Sequence, residues 1–127
     1  MGAAQVSRVM TVSDSDSGGG SGIQADLKTF AALRVYGTSV VTVVTAQNTV
    51  GIADARELQA SLVGSQMVAV LSDIGTDAVK TGILSSVAIV ETVAAKVREH
   101  GLKNLIVDPV IVARGGDRLM GNDAVAA

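Results

Sequence analysis

The feature that most constrains the fold is an alternation of two hydrophobic periods along the chain. Four short segments are apolar and rich in β-branched residues, which is typical of strands: Arg8–Ser13, Thr38–Ala46, Ala78–Leu84 and Asn104–Val107. Apolar residues at helical spacing begin at Ile23, Leu58 and Val87, and a last helix is expected to open at Asn122. Strands that alternate with helices predict a parallel sheet flanked by helices, in a single α/β domain over residues 1–127.

Composition limits the classes of function. The chain has 127 residues, 48% of them hydrophobic, which suits one globular core and excludes intrinsic disorder. A net charge of -2 and an aromatic content of 2% argue against a nucleic-acid partner. The absence of cysteine excludes disulfides, thiolate nucleophiles and cysteine-held metals.

The hydropathy pattern predicts neither a membrane span nor a secretory signal. Mean hydropathy is +0.45, but the longest apolar run, residues 39–46, is far shorter than the roughly 20 residues of a spanning helix. The first ten residues contain one arginine and no sustained apolar stretch. We therefore expect a cytoplasmic protein without a membrane partner.

The predicted sheet lacks its final crossover. After Asp108 the sequence runs through a loop to the helix expected at Asn122. A parallel sheet of four or five strands would then keep an uncovered apolar edge. We expect the chain to be a truncated part of a larger fold, and such an edge favours self-association.

A Gly-rich turn follows the first strand. Gly18-Gly19-Gly20-Ser21-Gly22 lacks the Lys-Ser/Thr of a P-loop, and Ile23 occupies the third glycine position of a dinucleotide fingerprint. One interpretation is a flexible turn through which a ligand approaches N–H groups at a helix N-terminus. The alternative is an ordinary strand-to-helix turn.

Polar residues after the strands form further candidate sites, because ligands bind beyond the carboxyl ends of parallel strands. Asp26, expected in the first turn of its helix, either points into a cleft or complements the helix dipole. Gln47 offers an acceptor beside a donor, which matches an aminopyrimidine edge, or else it serves the turn with Asn48.

Charged residues suggest a phosphate or metal region. Asp108 precedes Pro109 and has two interpretations. It binds a magnesium ion or orients a phosphate-bearing substrate, or it is an ordinary turn residue at the end of a strand. Lys80 is either a phosphate ligand or an edge-strand residue, and we favour the second. His100 is expected in a last helical turn and receives no catalytic role.

Six blocks in order from about Val9 to Leu119 resemble a known family. They are Ser15–Phe30, Tyr36–Ser39, Thr45–Thr49, Leu71–Ile74, Val79–Gly82 and Val107–Val110. Together they resemble the hydroxymethylpyrimidine/phosphomethylpyrimidine kinases of thiamine biosynthesis. The resemblance implies a ribokinase-like fold and phosphorylation of 4-amino-5-hydroxymethyl-2-methylpyrimidine and its monophosphate, with ATP and magnesium.

The resemblance also implies roles for particular residues. Gln47 would read the aminopyrimidine edge and Asp26 would lie in the substrate pocket. The pocket floor would be lined by Ser21 and Gly22, the ring would pack on Ile83 and Val110, and Asp108 would lie near the metal and phosphates.

Three departures from the family pattern bear on function. Asp14 stands where the family has glycine, so its carboxylate would fill the pocket or repel a phosphorylated substrate, and Asp14→Gly is expected to improve ligand binding. Arg34 replaces a helix-ending glycine, at a cost of about 1 kcal/mol if φ is positive. Family members are roughly twice this long. Their second half carries the Gly-rich anion hole, the catalytic base and most of the ATP site, so no catalytic residue is expected in this chain.

Two hypotheses follow. In the first, the chain is the substrate-binding half of such a kinase, completed by a C-terminal half or another chain. In the second, it is a catalytically silent α/β module, truncated or engineered, that retains at most pyrimidine binding. Under both, the expected ligand is a small aminopyrimidine, and a second copy is a candidate partner for the uncovered edge.

Overall fold

A computed structural model describes residues 3–113 and 115–127; Met1 and Gly2, part of the segment expected to carry no signal, lie outside them. The elements in chain order are β1 (Arg8–Asp16), α1 (Gly22–Ala32), β2 (Tyr36–Gln47), β3 (Ile52–Glu57), α2 (Ala60–Asp73), β4 (Ala78–Thr81), α3 (Val87–Glu99), β5 (Leu105–Val107) and α4 (Asn122–Ala126).

The strands form one sheet in the order β3-β2-β1-β4-β5. The pairs β1–β2, β1–β4 and β4–β5 are parallel, which confirms the predicted α/β class. β3 was not predicted; it pairs antiparallel with β2 and makes the sheet mixed. Its sequence, Ile-Ala-Asp-Ala-Arg-Glu, holds one β-branched residue and lies largely exposed at an edge, so local preference for a strand is weak.

The hydrophobic core lies between the sheet and the helices α2 and α3. Side chains alternate across a strand, so every second residue of β1 faces these helices. The buried cluster consists of Met10, Val12, Val40 and Val79 from the sheet and Val63, Met67, Ile89 and Val93 from the two helices. Met67 is fully buried at the centre of this cluster.

The opposite face of the sheet is covered by α1, which packs on β1 and β2. This side of the sheet carries polar residues, including the buried Thr11 and the half-buried Lys80. Lys80 belongs to β4, which has a neighbour on each side. The interpretation of Lys80 as an edge-strand residue is therefore wrong.

The ends of α1 and α3 agree with the sequence. Gly101 has φ +56°, a conformation that glycine adopts without strain, and it follows His100, the C-cap of α3. Arg34 has φ +59° just beyond α1, so the position adopts the conformation that a glycine would take without strain. The positive φ thus costs about 1 kcal/mol at this site.

The outer edge of the sheet at β5 exposes apolar side chains. Leu105, Ile106 and Val107 are 42%, 63% and 61% exposed, and β5 has β4 as its neighbour on one side only. An exposed apolar edge of this kind is a surface that another strand can cover. Within residues 3–113 and 115–127, no helix has the length and apolar character needed to cross a membrane.

Candidate functional site

The four parallel strands deliver their following loops to the same edge of the sheet. Ser17 and Gln47 tie two of these loops together: the Ser17 hydroxyl donates to the Gln47 carbonyl at 2.6 Å and accepts from the Gln47 N–H at 2.7 Å. On the other side of β1, the Gly82 N–H donates to Val12 O at 2.8 Å. The predicted polar segments therefore lie along one edge, as the parallel topology requires.

The Gly-rich turn is organised by Asp16, a residue that the sequence reasoning did not single out. The Asp16 carboxylate accepts hydrogen bonds from the backbone N–H groups of Gly18 (2.7 Å), Gly20 (3.0 Å) and Ser21 (2.9 Å) and from the Ser21 hydroxyl (2.9 Å). These N–H groups are already paired with a resident carboxylate. Of the two interpretations of the turn, this arrangement favours the ordinary strand-to-helix turn over one that offers these N–H groups to a ligand.

The electrostatics of Asp16 follow from these contacts. Its side chain is buried, with 4% of the residue exposed, which opposes ionisation. The hydrogen bonds from the turn outweigh this burial and hold the pKa of Asp16 below its ordinary value. The ionised carboxylate therefore links the end of β1 to the start of α1 through these hydrogen bonds.

A cleft of about 430 Å³ opens beside the ends of β1 and β2. Two residues of the predicted site, Asp14 and Ile83, line it together with Thr45. The remaining lining residues are Val43, Ile52, Ala55, Glu57, Ser85, Asp117, Arg118 and Leu119. The volume suits a small heterocycle, and the wall includes part of β3, the strand that the sequence did not reveal.

Ser13 connects the two predicted cleft residues. Its hydroxyl donates to Asp14 Oδ1 at 2.9 Å and accepts from the Ile83 N–H at 3.2 Å. A side chain at Gly82 would overlap the Ser13 hydroxyl, so the segment after β4 approaches β1 this closely because position 82 is glycine.

Asp14 is a buried carboxyl group, with 4% of the residue exposed. Burial raises the pKa of Asp14 above its ordinary value, and the nearby charge of Asp16 raises it further. The hydrogen bond from Ser13 and the charge of Lys80 oppose this rise. Asp14 is thus a carboxylate held in an environment that disfavours its charge.

Gln47 lies at the rim, next to a residue of the cleft wall. Its side-chain oxygen lies 3.1 Å from the hydroxyl of Thr45, which lines the cleft, whereas Gln47 is not among the lining residues. The single proton of this hydroxyl is shared with Ser15 O at 2.9 Å. This contact orients the Gln47 amide through a neighbour that is itself fixed to the strand before the Gly-rich turn.

Asp26 lies on the sheet face rather than in the first turn of α1. It is the fifth residue of that helix, so the first-turn expectation is wrong. Lys80 Nζ donates to its two oxygens at 3.1 and 2.9 Å, and the Thr11 hydroxyl donates to it at 2.6 Å. The side chains of Asp26 and Lys80 are 17% and 23% exposed, so this ion pair is largely shielded from water.

Ser21 and Gly22 lie where the turn meets α1. Ser21 is the N-cap of α1 and directs its hydroxyl to Asp16. Gly22 has φ +59° and lies against Asp14, since a side chain there would overlap the Asp14 carbonyl oxygen. Gly22 is therefore adjacent to the carboxylate that enters the cleft.

Asp108 and Val110 follow β5 and lie apart from the cleft. The Asp108 N–H donates to Thr81 O at 3.0 Å, and the Val110 N–H donates to Asp108 O at 2.9 Å. Asp108 lines a second, apolar groove of about 360 Å³ between α3, β5 and α4. Sequence reasoning placed these residues at the correct edge, but they are not among the residues that line the cleft.

The acidic residues do not gather into a metal centre. In the part of the chain that the structure describes, no three Asp, Glu or His side chains come together so as to hold a metal ion. Mg²⁺ in phosphoryl-transfer sites is held by one or two carboxylates together with substrate phosphates and waters, so such a site does not require a preformed cluster of three.

The fold and cleft define a class: α/β proteins with a cleft beyond the carboxyl ends of parallel strands, which is where ligand sites of such sheets are typically found. The family model for phosphomethylpyrimidine kinase matches residues 16–127, and the chain belongs to that family. It is 47% identical over 119 residues to the hydroxymethylpyrimidine/phosphomethylpyrimidine kinase of Bacillus subtilis, covering 94% of this chain and 44% of that protein. The chain thus spans less than half the length of such a relative.

Solved structures agree with the sequence comparison. Phosphomethylpyrimidine kinase from Clostridium difficile superposes with a TM-score of 0.88 at 41% identity, covering 94% of this chain and 52% of that one. Pyridoxal kinase from Staphylococcus aureus in complex with pyridoxal gives a TM-score of 0.80 at 32% identity, covering 90% and 43%. The ribokinase-like expectation is confirmed by these neighbours.

Proposed function

We propose that this chain forms the substrate-binding part of a hydroxymethylpyrimidine/phosphomethylpyrimidine kinase. The observation that carries the proposal is the cleft beside the ends of β1 and β2, whose wall combines Asp14, Thr45 and Ile83 and whose rim carries Gln47. The ligand is 4-amino-5-hydroxymethyl-2-methylpyrimidine. Its exocyclic amine and ring nitrogen present a donor beside an acceptor, which the Gln47 amide complements.

In this proposal, hydrophobic and polar residues have separate roles in binding the pyrimidine. Ile83 presents an aliphatic surface to one face of the ring, and Val110 would pack on the ring only after the segment following β5 approaches the cleft. Ser21 and Gly22 belong to a turn that Asp16 holds rigid, so they support the pocket without a large loss of entropy on binding. Asp26 keeps Lys80 in place next to Asp14, and the Lys80 charge lowers the pKa of Asp14.

The complete reaction is transfer of the ATP γ-phosphoryl group to the primary hydroxyl of the pyrimidine. ATP and Mg²⁺ are cofactors of this proposal, and Asp108 and Lys80 are its candidates for the vicinity of the metal and phosphates. We assign the catalytic base and most of the ATP site to the part of the family fold that this chain does not match.

Replacing Gln47 by alanine is expected to weaken binding of the hydroxymethylpyrimidine. The change removes one donor and one acceptor, so the dissociation constant should rise about tenfold or more. Isothermal titration calorimetry of wild type and Gln47→Ala measures this directly. Gln59→Ala removes an exposed amide at the start of α2 and serves as the control. Equal affinities for wild type and Gln47→Ala would contradict the assignment of Gln47.

A second candidate function is a catalytically silent module that retains pyrimidine binding. It shares the cleft with the first candidate and differs from it only in lacking phosphoryl transfer. A coupled ATP-turnover assay with the hydroxymethylpyrimidine separates the two candidates. Product above background supports the kinase, whereas binding without product at high protein concentration supports the silent module.

We propose that a protein partner covers the exposed edge at β5. Either a second copy or a complementing C-terminal half would bury Ile106 and its neighbours. Analytical ultracentrifugation distinguishes them, since a second copy gives a concentration-dependent dimer of the chain alone.

A further inference from the structure

We propose that Asp14 is a specificity-determining residue that confines the cleft to ligands without a phosphate group. The inference rests on the proposed function, because it concerns the same pyrimidine site. It begins from one departure: a carboxylate stands at the end of β1 where the resemblance expects glycine, and this carboxylate lines the cleft.

Asp14 is built into the cleft rather than mobile at its mouth. The residue is 4% exposed, its Oδ1 accepts from the Ser13 hydroxyl at 2.9 Å, and glycine at position 22 leaves room for its side chain, since a Cβ there would lie 3.1 Å from the Asp14 Cγ. Burial and the hydrogen bond hold the carboxylate at the cleft wall that it lines. A bound ligand must therefore tolerate its charge.

The other charges facing the cleft do not neutralise Asp14. Glu57 and Asp117 also line the wall, and Asp16 lies next to Asp14 along β1. Arg118 also lines the wall; it donates to the neutral acceptors Met120 O, at 2.7 Å, and Asn122, so its positive charge remains. Lys80 donates to both oxygens of Asp26. Among the described lining residues three carboxylates thus face one guanidinium group, which favours a negative potential in the cleft.

Because the cleft is small, a ligand anywhere in it experiences this negative potential. A nearly spherical cleft of 430 Å³ is about 9 Å across, comparable with the ~8–10 Å over which charges interact at physiological ionic strength. A phosphate monoester carries nearly two negative charges at neutral pH. The pyrimidine alcohol carries none, so the two substrates of the family differ mainly in the repulsion that they meet here.

The test compares the alcohol and its monophosphate by calorimetry at about pH 8, where carboxyl and phosphate groups are ionised. Wild type is expected to bind the alcohol at least ~10-fold more tightly than the monophosphate. Asp14→Gly and Asp14→Asn should reduce this ratio about tenfold by improving monophosphate binding. Asp73→Asn, which removes an exposed carboxylate at the end of α2, should leave the ratio unchanged.

Each outcome decides between separate claims. An unchanged ratio in both Asp14 variants, or tighter binding of the monophosphate by wild type, overturns the inference and leaves the pyrimidine site intact. Absence of binding of either compound by wild type and by Asp14→Gly refutes the proposed function, and the inference with it. Thermal unfolding of Asp14→Asn checks the fold; because the raised pKa of Asp14 disfavours its charge, this variant is expected to be at least as stable as wild type at neutral pH.

Discussion

Asp16→Ala is expected to lower the free energy of unfolding by about 3 kcal/mol at neutral pH. The variant removes the acceptor for three backbone N–H groups and for the Ser21 hydroxyl. Hydrogen bonds to a charged acceptor contribute more than neutral ones, but the turn is exposed enough for water to compensate part of the loss. Urea unfolding followed by circular dichroism measures the change.

The same carboxylate predicts a pH dependence. Because its folded-state pKa is lowered, the stability that Asp16 contributes is complete above the unfolded pKa of about 3.9 and is lost as the pH falls through the folded pKa. The difference between wild type and Asp16→Ala should therefore shrink on acidification below about pH 4. Asp73→Ala is the control, since this exposed residue should change stability by less than about 0.5 kcal/mol. If Asp16→Ala lowers the free energy of unfolding by less than about 1 kcal/mol at pH 7, the proposed stabilising role of this carboxylate is wrong.

Gly22→Ala is expected to lower the free energy of unfolding by about 3 kcal/mol and to abolish pyrimidine binding. The position has φ +59°, which costs an alanine about 1 kcal/mol. Its Cβ would also overlap the Asp14 carbonyl oxygen, which belongs to β1 and yields only if the strand moves. The displacement would reach the cleft through Asp14.

Gly51→Ala is the matched control for that substitution. Gly51 lies outside the group of glycines with positive φ, and apart from Gly51 itself and its two chain neighbours no atom of the described residues lies within 4 Å of its Cβ position. Alanine there should be neutral or stabilising by up to about 1 kcal/mol, since it reduces the entropy of the unfolded chain. If Gly22→Ala and Gly51→Ala unfold at the same urea concentration, the close approach of Gly22 to β1 is wrong.

The elements that sequence predicts well are those in which local preference and tertiary packing agree. β2 is dense in valine and threonine, and α3 combines a helical apolar spacing with Gly101 as its stop. β3 is stabilised by pairing with β2 rather than by its own composition, and its residues are mostly exposed. Pairing with neighbouring strands also sets strand ends. Pairing with β2 extends β1 to Asp16, beyond the predicted end at Ser13, whereas β4 ends at Thr81, before the predicted end at Leu84.

The candidate site was predicted in part. Asp14 and Ile83, which the family resemblance indicated, line the cleft, and Gln47, which was singled out because it follows a strand, contacts Thr45 of the cleft wall. Asp16 was missed because an aspartate in a Ser/Gly run is typical of any turn; the useful signal is the spacing of Gly18, Gly20 and Ser21 after it, which lets one carboxylate accept all three N–H groups. The pairing of Asp26 with Lys80 joins residues 54 positions apart, and no local pattern reports such a contact.

The central claim is that an aminopyrimidine binds in the cleft at the ends of β1 and β2. The most direct measurement is a titration of the ¹⁵N-labelled chain with 4-amino-5-hydroxymethyl-2-methylpyrimidine, followed by backbone amide shifts. We expect saturable chemical-shift changes centred on the backbone amides of Thr45, Gln47 and Ile83. Shifts confined to the apolar groove around Val97 and Met120, or no saturable shift at all, would contradict it.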